Sequence, residues 1–208
     1  MIKNLEAKLI GQEPVTREEL FKLINSHGRK DFLITQDSIR FEKCEPKECY
    51  DLSKLDVSQI KNLSDIFSFS YFNDDISNWD VSNCTNLHSI FYSSYFNGDL
   101  SKWDLKSVEN LNWSFASSEF NNDSLKDWNT SNIKEMDSTF YSAKFNGSLL
   151  NWDVSNVRKM LFMFSQSKFN NDSLNNWNFL NIKSIDYMFY KSVFAGDISN
   201  WKINNNVY

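Results

Sequence analysis

The stretch FNGSLLNWDVSNVRKMLFMF (145–164) decides the fold, because it recurs with variation along most of the chain. FNDDISNWDVSNCTNLHSIF (72–91) has the same Phe, Trp, Asp and Asn in the same places. Three aromatic columns repeat together every 24 or 25 residues, which indicates a repeat architecture. The Trp column contains Trp79, Trp103, Trp128, Trp152, Trp177 and Trp201, and the two Phe columns include Phe91 with Phe96 and Phe140 with Phe145.

Each repeat is predicted to contain one short strand and one short helical segment joined by turns. Trp152 and Val154 would share one face of an extended strand, since side chains alternate along it. Apolar residues then follow at steps of three and four, at Val157, Met160 and Phe164, which is the spacing of one side of a short α or 3₁₀ segment. No repeat can bury its apolar side alone, so successive repeats are expected to stack as a solenoid with parallel strands.

These segments closely resemble the BspA-like leucine-rich repeats, also described as the DUF285 repeat. The resemblance covers about residues 51–203 and rests on Phe-Asn, then Trp-Asp-Val-Ser-Asn, then Met-x-x-Met-Phe. It implies a leucine-rich-repeat-like solenoid of the kind used in bacterial surface adhesion and protein recognition. It carries no catalytic residues to transfer to this chain.

The chain is predicted to divide into a cap at 1–50 and a solenoid of about six to seven repeats at 51–208. PVTREELFKLINSHG (14–28) reads as a helix that begins with a capping box of Thr16 and Glu19 and can end at Gly28. DFLITQDSIRF (31–41) reads as extended. Together they would form a helix-plus-strand cap that covers the first repeat.

The last repeat stops after Trp201 and Ile203, and the sequence beyond it shows no capping segment. Either the polar Asn204, Asn205 and Asn206 blunt this edge, or another chain covers it. The second alternative predicts a homodimer through the C-terminal repeat.

The net charge of −5 is uneven, because residues 1–50 hold nine basic and nine acidic residues and are neutral. The whole deficit therefore lies in the repeats. A mildly acidic surface argues against direct nucleic-acid binding, which needs basic patches. No apolar run is long enough to span a membrane, and no secretory signal is visible. We therefore expect a cytoplasmic protein, with the cell surface possible if it is exported by another route.

Catalysis and metal binding find little support in the sequence. Cys44, Cys49 and Cys84 lack further ligands at metal spacing and read as reduced structural thiols. His27 and His88 are the only histidines, and neither lies near a nucleophile motif. A recurrent Asp column could suggest calcium, but successive members come from different repeats and adjoin turns. We predict no catalytic residue, metal or cofactor. That column contains Asp99, Asp123, Asp172 and Asp197.

Two other columns are candidate partner-binding sites. The residue after each Trp is acidic at Asp80, Asp104 and Asp153, and is Asn or Lys elsewhere. This column is either an acidic binding strip that mimics phosphates or a solvated sheet face. Ten residues after each Trp stand Ser89, Trp113, Ser138, Phe162 and Tyr187, with Leu161 also off-pattern.

Large apolar groups at positions that tolerate Ser are either interface hot spots or local packing. The sequence therefore predicts a non-enzymatic protein that binds a partner protein of unknown identity. One alternative is a phage- or mobile-element-encoded inhibitor that blocks a host nucleic-acid enzyme by acidic mimicry. A second alternative is a bacterial surface adhesin.

Overall fold

The computed structural model describes residues 2–26, 30–34, 39–43 and 50–203. None of the described helices is long and apolar enough to span a membrane. The predictions for His27, Gly28, Cys44, Cys49 and the three Asn at 204–206 lie outside the described residues. The elements are α1 (Leu5–Leu9), α2 (Arg17–Ser26), β1 (Lys30–Ile34), β2 (Ile39–Lys43), β3 (Asn178–Phe179) and β4 (Lys202–Ile203), with 3₁₀ turns at Asp123–Leu125 and Asp172–Leu174.

Helix α2 begins with the predicted capping box. The Thr16 amide donates to Glu19 Oε2 at 3.0 Å, and the Glu19 amide donates to Thr16 Oγ1 at 3.2 Å. Leu20, Leu23 and Ile24 are buried and belong to the same continuous core as the repeats. Helix α1 was not predicted, because five residues are too few for a periodic apolar pattern.

Residues at the start of α2 and just before it join the N-terminal region to the first repeat. The Val15 amide donates to the Asp56 carbonyl at 2.9 Å, and Arg17 Nη2 donates to the Ser64 carbonyl at 2.6 Å. Further along the chain, β1 and β2 pair as an antiparallel ladder with Lys30 opposite Lys43. The predicted extended segment is thus two strands that pair with each other.

Successive repeats lie one on another and pair in parallel. Around each contact the backbone keeps donating to the following repeat, as the amides of Leu87, Ser89, Phe91 and Ser93 do at 2.8–3.0 Å. Repeats about 24 residues apart in sequence are therefore nearest neighbours in space. Parallel bridges run from Asn62 to Asn86, Asn110, Glu135, Lys159 and Ser184 in turn.

The segment expected to be helical is a run of turns instead. The Ile90 amide donates to Leu87 O at 3.2 Å and the Ser94 amide to Phe91 O at 3.1 Å, while Ser89 takes a left-handed φ of 51°. The left-handed residues turn the backbone so that alternate amides donate to the neighbouring repeat. A helix cannot continue, because those amides are no longer available to it. A strand was expected after each Trp. Within residues 50–203, regular strands follow only Trp177 and Trp201, as β3 and β4. The apolar side chains are spaced by three and four residues because successive turns, and not a helix, return them to the core.

The aromatic columns fill the core. One Phe column stacks with ring centroids 5.2–5.7 Å apart from Phe67 through Phe189. The indole rings of Trp103, Trp128 and Trp152 stack at 6.4 and 6.3 Å. Alternation along the strand-like segment leaves Trp79 and Val81 buried and Asp80 between them exposed.

Every indole N–H of the Trp column donates to a carbonyl of the preceding repeat. Trp128 Nε1 reaches Leu100 O at 2.9 Å, and Trp152 Nε1 reaches Leu125 O at 2.7 Å. A buried Trp needs such an acceptor because an unpaired N–H in the core is costly. The Trp column thus sets both the packing and the register of neighbouring repeats.

Candidate interaction surface

Seven aromatic side chains line the outside of the repeats and form the outer aromatic strip. Their rings contact one another in two groups, with centroid distances from 5.0 to 6.0 Å. In the second group, Phe162 and Tyr187 stack at 5.0 Å and 6°. The first group is Phe69, Tyr92, Trp113 and Tyr141, and the second is Phe162, Tyr187 and Tyr190.

The second group is the more exposed, with 37% of Phe162, 61% of Tyr187 and 47% of Tyr190 accessible to solvent. Trp113 is half-buried between Tyr92 and Tyr141. The structure therefore brings together the predicted residues Phe162 and Tyr187, and it gives Trp113 two aromatic neighbours. The sequence left exposure and local packing as alternatives for these residues, and both occur in the strip.

Four rings of the strip occupy strained backbone positions. Phe69, Trp113, Phe162 and Tyr187 have φ of 57°, 60°, 55° and 57°. Bulky residues at such left-handed angles are uncommon and cost on the order of 1 kcal/mol or more. Trp113, Phe162 and Tyr187 share one position of the repeat, where other repeats have Asp65, Ser89 and Ser138 at φ of 51–60°. Phe69 lies at a second left-handed position, where Ser93, Ser117 and Ser142 stand in other repeats. The aromatic side chains at these positions are thus not required by the fold.

Leu161 interrupts a polar ladder that runs between repeats. Asn112 Oδ1 accepts from the Asp137 amide at 2.7 Å, and Asp137 Oδ1 accepts from the Leu161 amide at 2.8 Å. The Leu161 side chain has no oxygen that could accept the next amide, and the Asp186 amide donates to Ser184 Oγ instead. Burial raises the pKa of Asp137, while the hydrogen bond from the Leu161 backbone lowers it. An apolar side chain thus replaces a useful acceptor beside Phe162.

The acidic column has a structural task in each repeat. Asp80 Oδ1 accepts from the Ser82 amide, Asp104 Oδ1 from the Lys106 amide and Asp153 Oδ1 from the Ser155 amide at 2.9–3.0 Å. Hydrogen bonds from the Ser82 side chain and amide hold the pKa of Asp80 below its ordinary value.

Asn129 and Asn178 make the same turn where the column is not acidic. The three carboxylates are exposed, and they lie on a different segment of the repeat from the strip. Because an uncharged amide can replace them, holding the turn does not itself require the negative charge.

Three exposed cations form a basic cluster on the two repeats that also carry Phe162 and Tyr187: Arg158, Lys159 and Lys183. The Arg158 amide donates to Lys134 O at 3.2 Å, and the Lys183 amide donates to Arg158 O at 2.7 Å. These bonds place Lys134, Arg158 and Lys183 at one position of successive repeats. Lys134 pairs with Glu109 at 2.8 Å, but none of the three cations of the cluster forms an ion pair with another described residue.

Within the described residues, no group of three His, Cys, Asp or Glu side chains could hold a metal ion. Cys84 is buried, and burial raises the pKa of its thiol. Asp123 and Asp172 of the recurrent Asp column use Oδ1 to accept amides of the next repeat, at Ser148 and Asp197. These carboxylates join repeats in the structure.

The sequence reading missed Tyr92, Tyr141 and Tyr190, although a longer period reveals them. The steps of the Trp column alternate between 24 and 25, so two repeats make 49 residues, and the three Tyr lie 49 apart. Trp113 and Phe162 also lie 49 apart. Small residues stand at the Tyr position in the alternate repeats, which leaves room for each ring. Those small residues are Ser68, Ala116 and Ser165.

Comparison with known proteins gives one family. The family described as "Mycoplasma protein of unknown function, DUF285" matches residues 36–143 and 111–208 in two overlapping regions. Two such regions in one chain are typical of a repeat family. No curated protein matches the chain, and no solved structure does.

Proposed function

The chain belongs to the DUF285 family, and from that premise we propose that it is a non-enzymatic protein that binds other proteins through the outer aromatic strip. The observation that supports this most is the backbone at Trp113, Phe162 and Tyr187. Each holds a large ring at a left-handed position that accepts Ser in a sibling repeat. Exposed aromatic anchors are typical of binding hot spots, and such strain is characteristic of functional positions.

The proposal includes the architecture, a leucine-rich-repeat-like solenoid of the BspA-like type. The run of parallel bridges and the stacked aromatic columns support it. In such an array each repeat offers its outer side chains to a partner at a fixed spacing. A surface adhesin and an intracellular inhibitor would both use a surface of this kind.

Acidic mimicry is the weaker alternative for the inhibitor. Asp80, Asp104 and Asp153 are exposed, but each already holds a turn, and Asn129 interrupts their row. Trp113, Phe162 and Tyr187 pack on neighbouring rings, but the fold does not need a ring at their position, because Ser89 and Ser138 adopt the same left-handed backbone. We therefore place the binding surface on the strip.

An affinity pulldown from the source cell tests the proposal with matched variants. The baits are the unchanged chain, Trp113→Ser, Phe162→Ser and the control Ser89→Ala, which alters the same position in a repeat with no ring there. We expect proteins captured by the unchanged chain and by Ser89→Ala to be lost with both ring variants, at unchanged folding by circular dichroism. Equal capture by all four folded baits would refute a role for the strip.

A further inference from the structure

We propose that the basic cluster and the stacked pair of Phe162 and Tyr187 together bind an acidic segment of the partner protein that also carries apolar side chains. This inference rests on the proposed function and adds the chemistry of the partner. It depends on the charges and contacts of two successive repeats in the C-terminal half of the chain.

The first argument is the placement of charge. The chain carries a net charge of −5, yet Arg158, Lys159 and Lys183 lie together and unpaired within the described residues. The equivalent positions of two earlier repeats carry Thr85 and Glu109, so the fold does not require cations there. Glu135 and Asp137 line the same groove as the cations, and the charge of Lys159 partly offsets the burial that raises the pKa of Asp137, but the groove still holds four cations and two carboxylates. An acidic ligand would reduce the remaining repulsion between the cations.

Geometry keeps the cations side by side. The hydrogen bond from the Lys183 amide to Arg158 O fixes the two backbones at 2.7 Å, and Lys159 bridges to Ser184 in the same pair of repeats. The groove is lined by Lys134, Arg158, Lys159 and Lys183 together with Glu135 and Asp137. Arg can also receive a carboxylate with two parallel hydrogen bonds.

The second argument is the apolar neighbour. Phe162 follows Arg158 by four residues, and Tyr187 follows Lys183 by four, so each of the two repeats carries a ring four residues after a cation. Leu161 adds apolar surface between them in place of a polar acceptor. A ligand that contacts both parts needs carboxylates and apolar side chains in one short segment.

The spacing of the strip fits a segment in the polyproline II conformation, in which every third side chain lies on the same face. Repeats pair at about 4.8 Å, so equivalent rings of the 49-residue double repeat are about 9.6 Å apart, close to one three-residue turn of polyproline II at about 3.1 Å per residue. A segment with an aromatic residue at every third place would present one ring to each double repeat. The intervening places would be free to carry carboxylates.

The same observations favour a protein ligand over a nucleic acid. A polyanion needs basic residues along its whole track. Here the basic cluster covers only three positions, and Glu135 and Asp137 line the same groove. A short segment with a few carboxylates matches three cations, whereas a continuous phosphate backbone would extend past them.

Fluorescence anisotropy with the full chain tests the inference. The probe is a labelled peptide of repeated Glu-Glu-Phe triplets, compared with Lys-Lys-Phe and Glu-Glu-Ser peptides and with a single-stranded oligonucleotide. The variant is Arg158→Ser with Lys183→Ser. Its control is Lys22→Ser with Lys126→Ser, which removes two exposed cations elsewhere.

We expect the Glu-Glu-Phe peptide to bind best, to weaken as salt rises, and to lose about fivefold or more in affinity with the cluster variant but not with the control. Equal binding of Lys-Lys-Phe, absence of peptide binding, or tighter binding of the oligonucleotide would each overturn the inference. The ring variants in the pulldown report separately on the proposed function: loss of capture there with a silent cluster variant keeps the strip and removes the acidic ligand.

Discussion

The molecule contains two sets of stacked aromatic rings with the same spacing and different surroundings. Rings of the inner columns, such as Phe140 and Phe164, are fully buried. Rings of the outer strip, such as Phe162 and Tyr187, are exposed and take left-handed backbone angles. The aromatic residues that recur at one position in every repeat form the core. Those at a position where other repeats have Ser form an exposed surface that the core does not require.

The largest effect is expected inside. Phe140 contacts Phe115, Phe145, Phe164 and Trp152 with ring centroids 4.4–5.9 Å away. Phe140→Ala would leave a cavity shared by three repeats and cost about 3–5 kcal/mol of unfolding free energy. Urea denaturation followed by tryptophan fluorescence measures this loss. A loss below about 1 kcal/mol would contradict the continuous core.

A smaller loss is expected when only the polar contact of an inner ring is removed. Trp128→Phe keeps an aromatic ring but leaves the Leu100 carbonyl without the indole N–H at 2.9 Å. An unsatisfied buried acceptor costs about 1–3 kcal/mol, to which the lost ring area adds. Thermal unfolding measures the change. Trp201→Phe is the matched control, because Trp201 makes the same bond but is only half-buried and should lose less.

The inner columns could be predicted from sequence and the outer strip only in part, for a physical reason. Burial imposes one residue type at a fixed spacing, so Trp79, Phe91 and their equivalents are visible in a single chain. The left-handed turns leave no such trace, because residues as different as Ser89, Trp113 and Phe162 adopt similar left-handed φ of 51°, 60° and 55°. Spacing of three and four residues suits a helix as well as these turns, and it therefore suggested the wrong element.

The polar ladder through Asn112 and Asp137 responds to pH in the opposite sense to the exposed acidic column. The raised pKa of Asp137 means that its ionised form is disfavoured in the folded chain. Its favourable contribution is therefore complete at low pH and is lost as pH rises through the folded pKa. Asp137→Asn keeps the acceptor for the Leu161 amide, as Asn112 does for Asp137. We expect Tm to rise by up to about 4 °C at pH 7 and not below about pH 3.

Asp80→Asn is the control of opposite sign. The pKa of Asp80 is lowered, so its contribution is present above its ordinary pKa and disappears as pH falls through the folded value. This variant should lower Tm slightly at pH 7 and leave it unchanged in acid. Differential scanning calorimetry of both variants across this pH range compares them, and a shift of the same sign at pH 7 would contradict the assignment.

The smallest effect is expected on the outer strip, where two terms oppose each other. Phe162→Ser loses the stack on Tyr187 at 5.0 Å, worth about 0.5–1.5 kcal/mol. It also removes a bulky ring from a left-handed position, which relieves strain of similar size. The unfolding free energy should therefore change by less than about 1 kcal/mol in urea. A loss near that of Phe140→Ala would make Phe162 a core residue, whereas a near-zero change together with lost partner capture places stability in the inner columns and recognition in the outer strip.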